Sequence, residues 1–309
     1  MQAIVYERHG GPEVLVVRDV PEPVPADGEV LVDVEAVGVN FRDVYERERQ
    51  GYGSDPPAII GAEASGTVVG TKERLAWTAI PASYAQRVAV DPTKAVVVPE
   101  GVSSEIAAAA LLQGMTAHYL CHDSYPVQPG DWVVVHAAAG GVGLLLTQLV
   151  KLRGGNVLAT ASSDEKAELA RGAGADEVAR YETFADRARE LGGVAAVFDG
   201  VGKTTFDDGL ASLRPLGSMI LYGAASGEPD PVDVRRLAAG GSLYLQRPTL
   251  HTYNRTPELL RTRAAAVFEL IAEGRLDVRI GARYPLAEAR RAHEDLAARR
   301  TTGKLLLVP

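Results

Sequence analysis

The sequence is short of the features that mark several classes of protein. Its single cysteine, Cys121, excludes an intrachain disulfide and a cysteine-rich zinc cluster, and fits a reducing compartment. No apolar stretch approaches the roughly 18 residues of a membrane-spanning helix, and the first residues carry charges without an apolar signal core. The net charge of −8 is spread without a basic block. We therefore expect a cytoplasmic protein that binds neither membranes nor nucleic acid.

What the chain does contain is two kinds of apolar pattern. From residue 1 to 113, short apolar runs are separated by Gly, Pro and Asp, which is typical of β-strands. From 114 to 248, runs rich in Val, Leu and Ala alternate with helical segments, which predicts a parallel sheet. An amphipathic helix, a shorter helix and a last strand follow in 249–309. We expect a Rossmann domain, residues 114–248, inserted between two parts of a mostly β domain, residues 1–113 and 249–309.

The strongest motif is a glycine-rich turn between a strand and a helix, within GDWVVVHAAAGGVGLLLTQLVK at 130–151. Gly140, Gly141 and Gly143 allow a tight turn and a close approach of the backbone to a pyrophosphate, while the helix start offers unpaired N–H groups. A glycine triplet alone also fits a turn that binds nothing. Because the βαβ pattern continues on both sides, the motif predicts dinucleotide binding.

The choice of dinucleotide depends on the end of the next strand, where Asp or Glu would bind the ribose 2′-OH of NAD. Here that strand, VLATA, ends in Ser162 and Ser163, which do not repel a 2′-phosphate, and Lys166 follows within reach of one. This favours NADPH, with Asp164 as contrary evidence. In the alternative interpretation the serines are helix N-caps and Lys166 is a solvated surface lysine. Capping and phosphate binding can coexist.

The same segments carry a family resemblance over nearly the full chain. The glycine-turn segment, GVNFRDVYERERQGY at 38–52, GAEASG at 61–66 and the ending TGKLLLVP are similar to the quinone oxidoreductase branch of the medium-chain dehydrogenase/reductase superfamily. The resemblance implies an α/β fold, with a Rossmann doubly wound parallel sheet inserted into a mostly β, GroES-like catalytic domain. One hairpin, after Val69, is about ten residues shorter than is usual there. We expect a trimmed surface turn and unchanged chemistry.

The resemblance also implies which residues bind NADPH. It implies a cofactor cleft between the domains. On one wall of this cleft it places Phe41, Asp43 and Tyr45, and on the other wall it places Thr116, Tyr119, Gly141 and Val142. The residues expected around the adenosine 2′-phosphate are Ser162, Lys166, Tyr181 and Arg299. The strand-end loop expected under the nicotinamide comprises Gly223, Ala224, Ala225 and Ser226. Without the resemblance, Tyr181 would be interpreted as a half-buried aromatic residue and Arg299 as a helix-end arginine.

No metal site is expected. Zinc-dependent members of the superfamily bind zinc through a cysteine and a histidine, and the resemblance places Asn40 and Ala62 at those two positions. His118 and His122, at i and i+4, could share a helix face. However, CHD at 121–123 lacks the accompanying glutamate pattern and a third ligand. The pair is interpreted as polar helix residues.

Hydride transfer asks little of the protein beyond orientation, a dry cleft and polarisation of the acceptor. We hypothesise that Asn40 donates a hydrogen bond to a quinone oxygen while Tyr45 and Tyr52 flank the quinone ring. The alternatives are a structural turn role for Asn40 and plain packing for the two tyrosines.

The leading prediction is therefore an NADPH:quinone oxidoreductase that acts on a small quinone or another conjugated carbonyl compound. One rival is a reductase of the double bond in an enone, enal or enoyl thioester, although ERERQ at 46–50 is mixed in sign rather than basic. The other is a non-catalytic NADPH-binding protein, crystallin-like or RNA-binding, and the acidic pI counts against RNA. The edge strand SLYLQRP, at 242–248, is the expected seam of a homodimer.

Overall fold

The computed structural model describes residues 1–48 and 53–309, which form two compact units. The first unit comprises residues 1–115 and 254–309, and the second comprises residues 116–253. The domain bounds predicted from the sequence, after residues 113 and 248, differ from these by a few residues. Within the described ranges, no helix combines the length and the apolar character that crossing a membrane requires.

Strands and helices are numbered here in chain order. The strands are β1 Gln2–Tyr6, β2 Leu15–Asp19, β3 Val30–Val39, β4 Ala58–Ile59, β5 Ala64–Val68, β6 Arg74–Trp77, β7 Arg87–Val90, β8 Ala95–Val97, β9 Trp132–Val135, β10 Asn156–Thr160, β11 Glu177–Ala179, β12 Val194–Asp199, β13 Leu213–Leu221, β14 Tyr244–Gln246, β15 Ile280–Pro285 and β16 Lys304–Val308. The α-helices are α1 Phe41–Glu48, α2 Ser104–Tyr119, α3 Gly141–Leu152, α4 Asp164–Gly172, α5 Phe184–Glu190, α6 Phe206–Ala211, α7 Arg235–Ala239, α8 Leu250–Tyr253, α9 Pro257–Ala272 and α10 Ala289–Ala297.

The first unit is mostly β, as the short apolar runs predicted. Its larger sheet has the order β15-β16-β3-β5-β6-β8 with β7 also paired to β3, and a smaller sheet has the order β2-β1-β4. In β3, Val32 and Val34 are buried while Asp33 and Glu35 are exposed, which is the period-2 pattern of a sheet with one face on the core. The core of this unit is lined by side chains from both sheets, among them Tyr6, Trp77, Leu305 and Leu307, and by Tyr84 from the segment between β6 and β7.

The shortened hairpin after Val69 is the tight surface turn that was expected. It joins the antiparallel strands β5 and β6, whose last pair is Thr67 with Arg74. The Val68 N–H donates to the Glu73 carbonyl across the turn at 2.9 Å, and Gly70 adopts a φ of 78°. The turn therefore directly joins the paired strands β5 and β6 of the larger sheet.

The second unit is a parallel sheet of six strands in the order β11-β10-β9-β12-β13-β14. This is the 3-2-1-4-5-6 order of the Rossmann fold, so the predicted doubly wound sheet is confirmed. All six residues of β12 are buried, which explains why this strand reads as a continuous apolar run in the sequence. The chain leaves β9 toward β10 on one side, while β12 pairs with β9 on the other. Ligands of such sheets bind outside the carboxyl ends of the strands at this reversal.

The predicted helix near residue 256 is also confirmed. Thr256 caps α9 by accepting a hydrogen bond from the Leu259 N–H at 3.3 Å, and Pro257 occupies its first turn. Its buried face includes Leu260, Ala264 and Val267. A Cβ built on Gly114 would lie 2.8 Å from Val267, so α9 packs closely on α2 within the first unit.

Candidate cofactor site and buried polar cluster

The glycine-rich turn follows β9 and leads directly into α3. Gly140 is the N-cap of that helix and has no side chain to cap it, so the first N–H groups of α3 stay open to a ligand. A Cβ on Gly143 would lie 2.4 Å from the Ala137 carbonyl oxygen and 2.7 Å from the Ala138 Cα. Only glycine fits at that position, as the motif requires. The turn can therefore bind a pyrophosphate through backbone N–H groups.

Next to it lies the carboxyl edge of β10 and β11. Ser163 accepts a hydrogen bond from the Lys166 N–H at 3.3 Å and so caps α4, while Ser162 is exposed. Tyr181 follows β11, and its ring lies 6.0 Å from the His136 ring, nearly parallel to it. The sheet thus brings Ser162, Ser163, Lys166 and Tyr181 to the same edge as the glycine turn. The capping interpretation of Ser163 is correct, and the capping bond uses the backbone N–H of Lys166 rather than its side chain.

His136, between β9 and the turn, is a buried residue of this edge that the sequence analysis did not single out. Its Nδ1 lies 3.0 Å from Thr160 Oγ1, and that hydroxyl accepts from the Ala137 N–H at 3.3 Å. Burial lowers the pKa of His136 below its ordinary value. Its Nε2 has no hydrogen-bond partner among the described residues, and its ring meets Phe184 edge-on at 4.7 Å. A neutral imidazole therefore supports the Tyr181 ring.

The loop after β13, Gly223–Ser226, lies beside the loop after β12. The Ala225 N–H donates to the Gly200 carbonyl at 3.2 Å, and the Ser226 N–H donates to the Val201 carbonyl at 2.7 Å. A Cβ on Gly223 would lie 2.8 Å from the Gly200 carbonyl oxygen, so glycine permits this close approach. The predicted nicotinamide loop is therefore at the carboxyl edge, on the β12 side of the reversal.

The first unit holds a buried polar cluster of Asn40, Glu63 and Lys304, which the half-buried Gln113 joins by donating from Nε2 to Asn40 Oδ1 at 3.3 Å. Lys304 Nζ donates to Glu63 Oε2 at 2.5 Å and to Asn40 Oδ1 at 2.8 Å. Asn40 Nδ2 donates to Glu63 Oε2 at 2.7 Å and to the Gly38 carbonyl at 3.1 Å. Because an ammonium only donates and a carboxylate only accepts, the Asn40 amide has one possible orientation. Both of its N–H groups therefore have acceptors inside the protein.

A second group of buried titratable side chains surrounds the start of α1. Asp43 is buried and accepts from the Asn40 N–H at 2.9 Å and from Tyr84 Oη at 3.0 Å. Burial raises the pKa of Asp43, while Arg42 beside it acts in the opposite direction. Burial, with the Asp43 carboxylate nearby, raises the pKa of Glu46 to about 7. The contacts of Asp43 described here fix the first turn of α1.

The remaining predicted residues are distributed over both units. In the first unit, the rings of Phe41 and Tyr45 lie 6.5 Å apart, and Arg299 follows α10 with a φ of 55°. In the second unit, Thr116 is buried and Tyr119 stacks on Tyr253 at 4.3 Å. Tyr52 lies outside the described residues.

The oxygen atoms of the buried polar cluster that could ligate a metal ion do not suit zinc. Asn40 Oδ1 and Glu63 Oε2 are both bound to the Lys304 ammonium, so a cation already occupies the position between them. The His118 and His122 rings do share a helix face, stacked at 3.9 Å. Over residues 1–48 and 53–309, no group of three or more His, Cys, Asp or Glu side chains is placed to hold a metal ion.

Two family models match the chain, one mainly in the first unit and one mainly in the second. The alcohol dehydrogenase GroES-like domain matches residues 26–128, and the zinc-binding dehydrogenase model matches residues 141–265. The GroES-like part of the predicted fold class is thereby confirmed. The fold and the glycine turn thus define a two-part dehydrogenase with a dinucleotide-binding sheet.

Similarity to known proteins shows which family within this class of dehydrogenases the chain belongs to. A quinone oxidoreductase of Pseudomonas aeruginosa is 40% identical, with 99% of each chain covered. A mycobacterial protein solved in complex with NADPH is 46% identical, with a TM-score of 0.96 and full coverage of both chains. A 2-haloacrylate reductase of a Burkholderia species is 34% identical, over 100% of this chain and 99% of its own. The chain belongs to the quinone oxidoreductase family of the medium-chain dehydrogenases/reductases.

Proposed function

We propose that this protein is an oxidoreductase that transfers hydride from NADPH to a small quinone. The observation that carries the proposal is the carboxyl edge of the second unit, where an uncapped helix start, a turn that only glycine can form, and Lys166 lie at neighbouring strand ends. The family relatives support the cofactor and the acceptor, since one is named a quinone oxidoreductase and another was solved with NADPH.

The protein's part is to bind and orient. The N–H groups of α3 and the glycine turn would hold the pyrophosphate, and the residues proposed around the adenosine 2′-phosphate are Ser162, Ser163, Lys166, Tyr181 and Arg299. In the second unit, Thr116, Tyr119, Val142 and the loop Gly223–Ser226 would contact the nicotinamide half, and Phe41 and Asp43 are the further cofactor contacts that we propose. NADPH, when bound, supplies the hydride, and a quinone becomes aromatic when it accepts one. A strong acid catalyst is therefore not required.

For the acceptor we propose contacts with Tyr45 and Tyr52, whereas Asn40, predicted to bind a quinone oxygen, has a competing role within the protein. Since both N–H groups of Asn40 have acceptors in the protein, a bond to a quinone oxygen requires one of them to be released. The contacts therefore favour the other interpretation, in which Asn40 positions the chain around it. An Asn40→Ala variant separates the two. Direct contact changes the KM for quinones selectively, whereas positioning lowers kcat for every acceptor alike.

We also propose that the enzyme works without zinc. The Lys304 ammonium neutralises Glu63 and occupies the space that a metal would need, and the donors nearby are an amide and a paired carboxylate rather than thiolate or imidazole. Extended dialysis against EDTA should leave the quinone reductase rate unchanged. A rate that falls with EDTA and returns with Zn²⁺ would contradict this proposal.

The function is tested by following NADPH absorbance with 1,4-benzoquinone, a naphthoquinone, cyclohexenone, 2-chloroacrylate and crotonyl-CoA under identical conditions. We expect the quinones to give the highest kcat/KM. The second candidate is reduction of a conjugated double bond, which the likeness to a 2-haloacrylate reductase favours. If cyclohexenone or 2-chloroacrylate oxidised NADPH and the quinones did not, the acceptor would be a conjugated double bond rather than a quinone. Binding of NADPH without turnover of any acceptor would favour a non-catalytic role.

The finer organisation is proposed as follows. The first unit is the catalytic domain and the second the NADPH-binding domain.

A homodimer forms through the edge strand β14, where Tyr244 and Leu245 are 61% and 38% exposed. A Tyr244→Asp, Leu245→Lys double variant should sediment as a monomer while the unaltered protein sediments as a dimer. The single cysteine supports a cytoplasmic location.

A further inference from the structure

Arg180 directly follows β11, yet its guanidinium lies at the end of the neighbouring strand β10. Strands β10 and β11 are parallel, with Thr160 opposite Ala179, so the residue after β11 lies beside the residue after β10. Arg180 Nη1 donates to the Ala161 carbonyl at 3.3 Å, and Nη2 lies 2.5 Å from Asp164 Oδ1. The side chain is therefore anchored across the two strand ends.

This position has a defined role in Rossmann sheets. The end of the second strand, about 20 residues after the glycine turn, is where an acidic side chain binds a ribose 2′-OH and an arginine accommodates a 2′-phosphate. Ala161 and Ser162 stand at that point, and neither offers a charge. The cation held there by a carbonyl comes from Arg180, which directly follows the neighbouring strand β11.

We propose that Arg180 is a specificity-determining residue that selects the adenosine 2′-phosphate, and that Asp164 holds it in place until the phosphate arrives. This rests on the proposed use of NADPH. The Asp164 side chain is 97% exposed and that of Arg180 41%, and an exposed ion pair contributes little, so exchanging the carboxylate for a phosphate costs little. A planar guanidinium can bind a phosphate with two N–H groups.

Arg180 has a second effect through Asp164. With the arginine present, a positive charge stays next to the carboxylate and offsets the repulsion between that carboxylate and a phosphate. Without it, an unpaired carboxylate stands at the position from which an acidic residue binds the 2′-OH of NADH. Loss of Arg180 should therefore weaken NADPH binding and strengthen NADH binding, and removal of both charges should weaken NADPH binding less than removal of Arg180 alone.

The test measures dissociation constants for NADPH and NADH by fluorescence, without any acceptor, in Arg180→Ala, Arg180→Lys, Asp164→Asn and the Arg180→Ala, Asp164→Asn double variant. Arg187→Ala is the matched control, since Arg187 also pairs with a carboxylate, Glu177, at the start of β11. We expect Arg180→Ala to raise the NADPH constant about 10-fold or more. NADH binding should strengthen in Arg180→Ala, Arg180→Lys should be intermediate, and the control should be unchanged.

Competition by adenosine 2′-phosphate and adenosine 5′-phosphate isolates the subsite. Only inhibition by the 2′-phosphate should weaken in Arg180→Ala. Equal NADPH-to-NADH ratios in Arg180→Ala and the unaltered enzyme would overturn the inference and leave Arg180 as a surface ion pair between β11 and α4. Failure of the unaltered enzyme to reduce quinones would overturn the proposed acceptor instead, because these measurements contain no acceptor. Failure of it to bind NADPH at all would overturn both.

Discussion

Lys304 Nζ lies 2.5 Å from Glu63 Oε2, and neither side chain has more than 1% of its surface exposed. Lys304 is the first residue of β16, and Glu63 immediately precedes β5. Two buried unit charges in contact are tolerated because each satisfies the other, and because Asn40 and the Leu112 N–H supply further hydrogen bonds to the carboxylate. The pair fixes the Asn40 amide in one orientation.

Replacement of Lys304 by methionine should destabilise the first unit strongly. It leaves the Glu63 carboxylate buried without its cation, and breaking one partner of a buried pair costs about 3–5 kcal/mol. Urea denaturation measures the loss. The Lys304→Met, Glu63→Gln double variant should recover much of it. Lys94→Met, at an exposed pair with Asp91, is the control and should change stability by less than about 1 kcal/mol. A Lys304→Met protein as stable as the control would show that the buried pair does not stabilise the fold.

Substitution of Gly143 by alanine should impair NADPH binding and stability together. The new Cβ would lie 2.4 Å from the Ala137 carbonyl oxygen, so the turn or the start of α3 must shift. We expect the dissociation constant for NADPH to rise at least about 10-fold, measured by fluorescence titration. Gly172→Ala, at the end of α4, is the control because no atom lies within 4 Å of its Cβ position. Unchanged NADPH affinity in Gly143→Ala would contradict the assignment of the pyrophosphate to this turn.

A Lys166→Glu variant should lose its preference for NADPH over NADH. The substitution reverses a charge at the carboxyl edge of β10, where an acidic side chain repels a 2′-phosphate and can bind a 2′-OH. Ratios of kcat/KM for the two cofactors with one quinone give the readout. Arg171→Glu applies the same charge change at an exposed site farther along α4 and should keep the preference. If both variants behave alike, the effect is one of net charge and the Lys166 assignment fails.

Stability should depend on pH through Glu46. Its pKa in the folded protein, about 7, exceeds the ordinary value of 4.5, so the folded state binds a proton more tightly than the unfolded state. The contribution of Glu46 is therefore fully present below pH 4.5 and is lost as the pH rises to about 7, by at most about 3 kcal/mol. The difference in free energy of unfolding between Glu46→Gln and the unaltered protein should grow over that interval. A constant difference from pH 5 to pH 8 would refute the assignment.

His293 should act with the opposite sign. Burial, followed by the Arg47 charge, lowers its pKa to about 3 from 6.5, so the unfolded state binds the proton more tightly. Its contribution is present above about pH 6.5 and is lost as the pH falls toward 3. The free energy of unfolding of the unaltered protein is compared with that of Glu46→Gln and, separately, with that of His293→Phe at each pH, which keeps the two effects apart. A difference from His293→Phe that stays constant from pH 7 to pH 4 would contradict the His293 prediction.

Much of the fold could be predicted because its signals are local. The alternation in β3, the continuous apolar runs of β9 and β12 and the cap-and-proline start of α9 each depend on a few adjacent residues. The glycine turn is likewise a local device, and strand, turn and helix must follow one another for it to work. Edge strand β14 was expected over 242–248 but pairs only over Tyr244–Gln246, since strand ends are set by the neighbouring strand.

The sequence alone determined the two kinds of sheet, the dinucleotide turn and the candidate residues at the end of β10, because hydrophobic periodicity and glycine spacing act between near neighbours. Only the tertiary structure decided which charges meet. Lys304 binds Asn40 across 264 residues, and Arg180 reaches Asp164 and Ala161 because two parallel strands end side by side. Neither lysine nor arginine carries a local pattern that distinguishes a buried or anchored cation from a solvated one. Burial and pairing are properties of the packed chain, and they are what turn ordinary surface-type residues into parts of these sites.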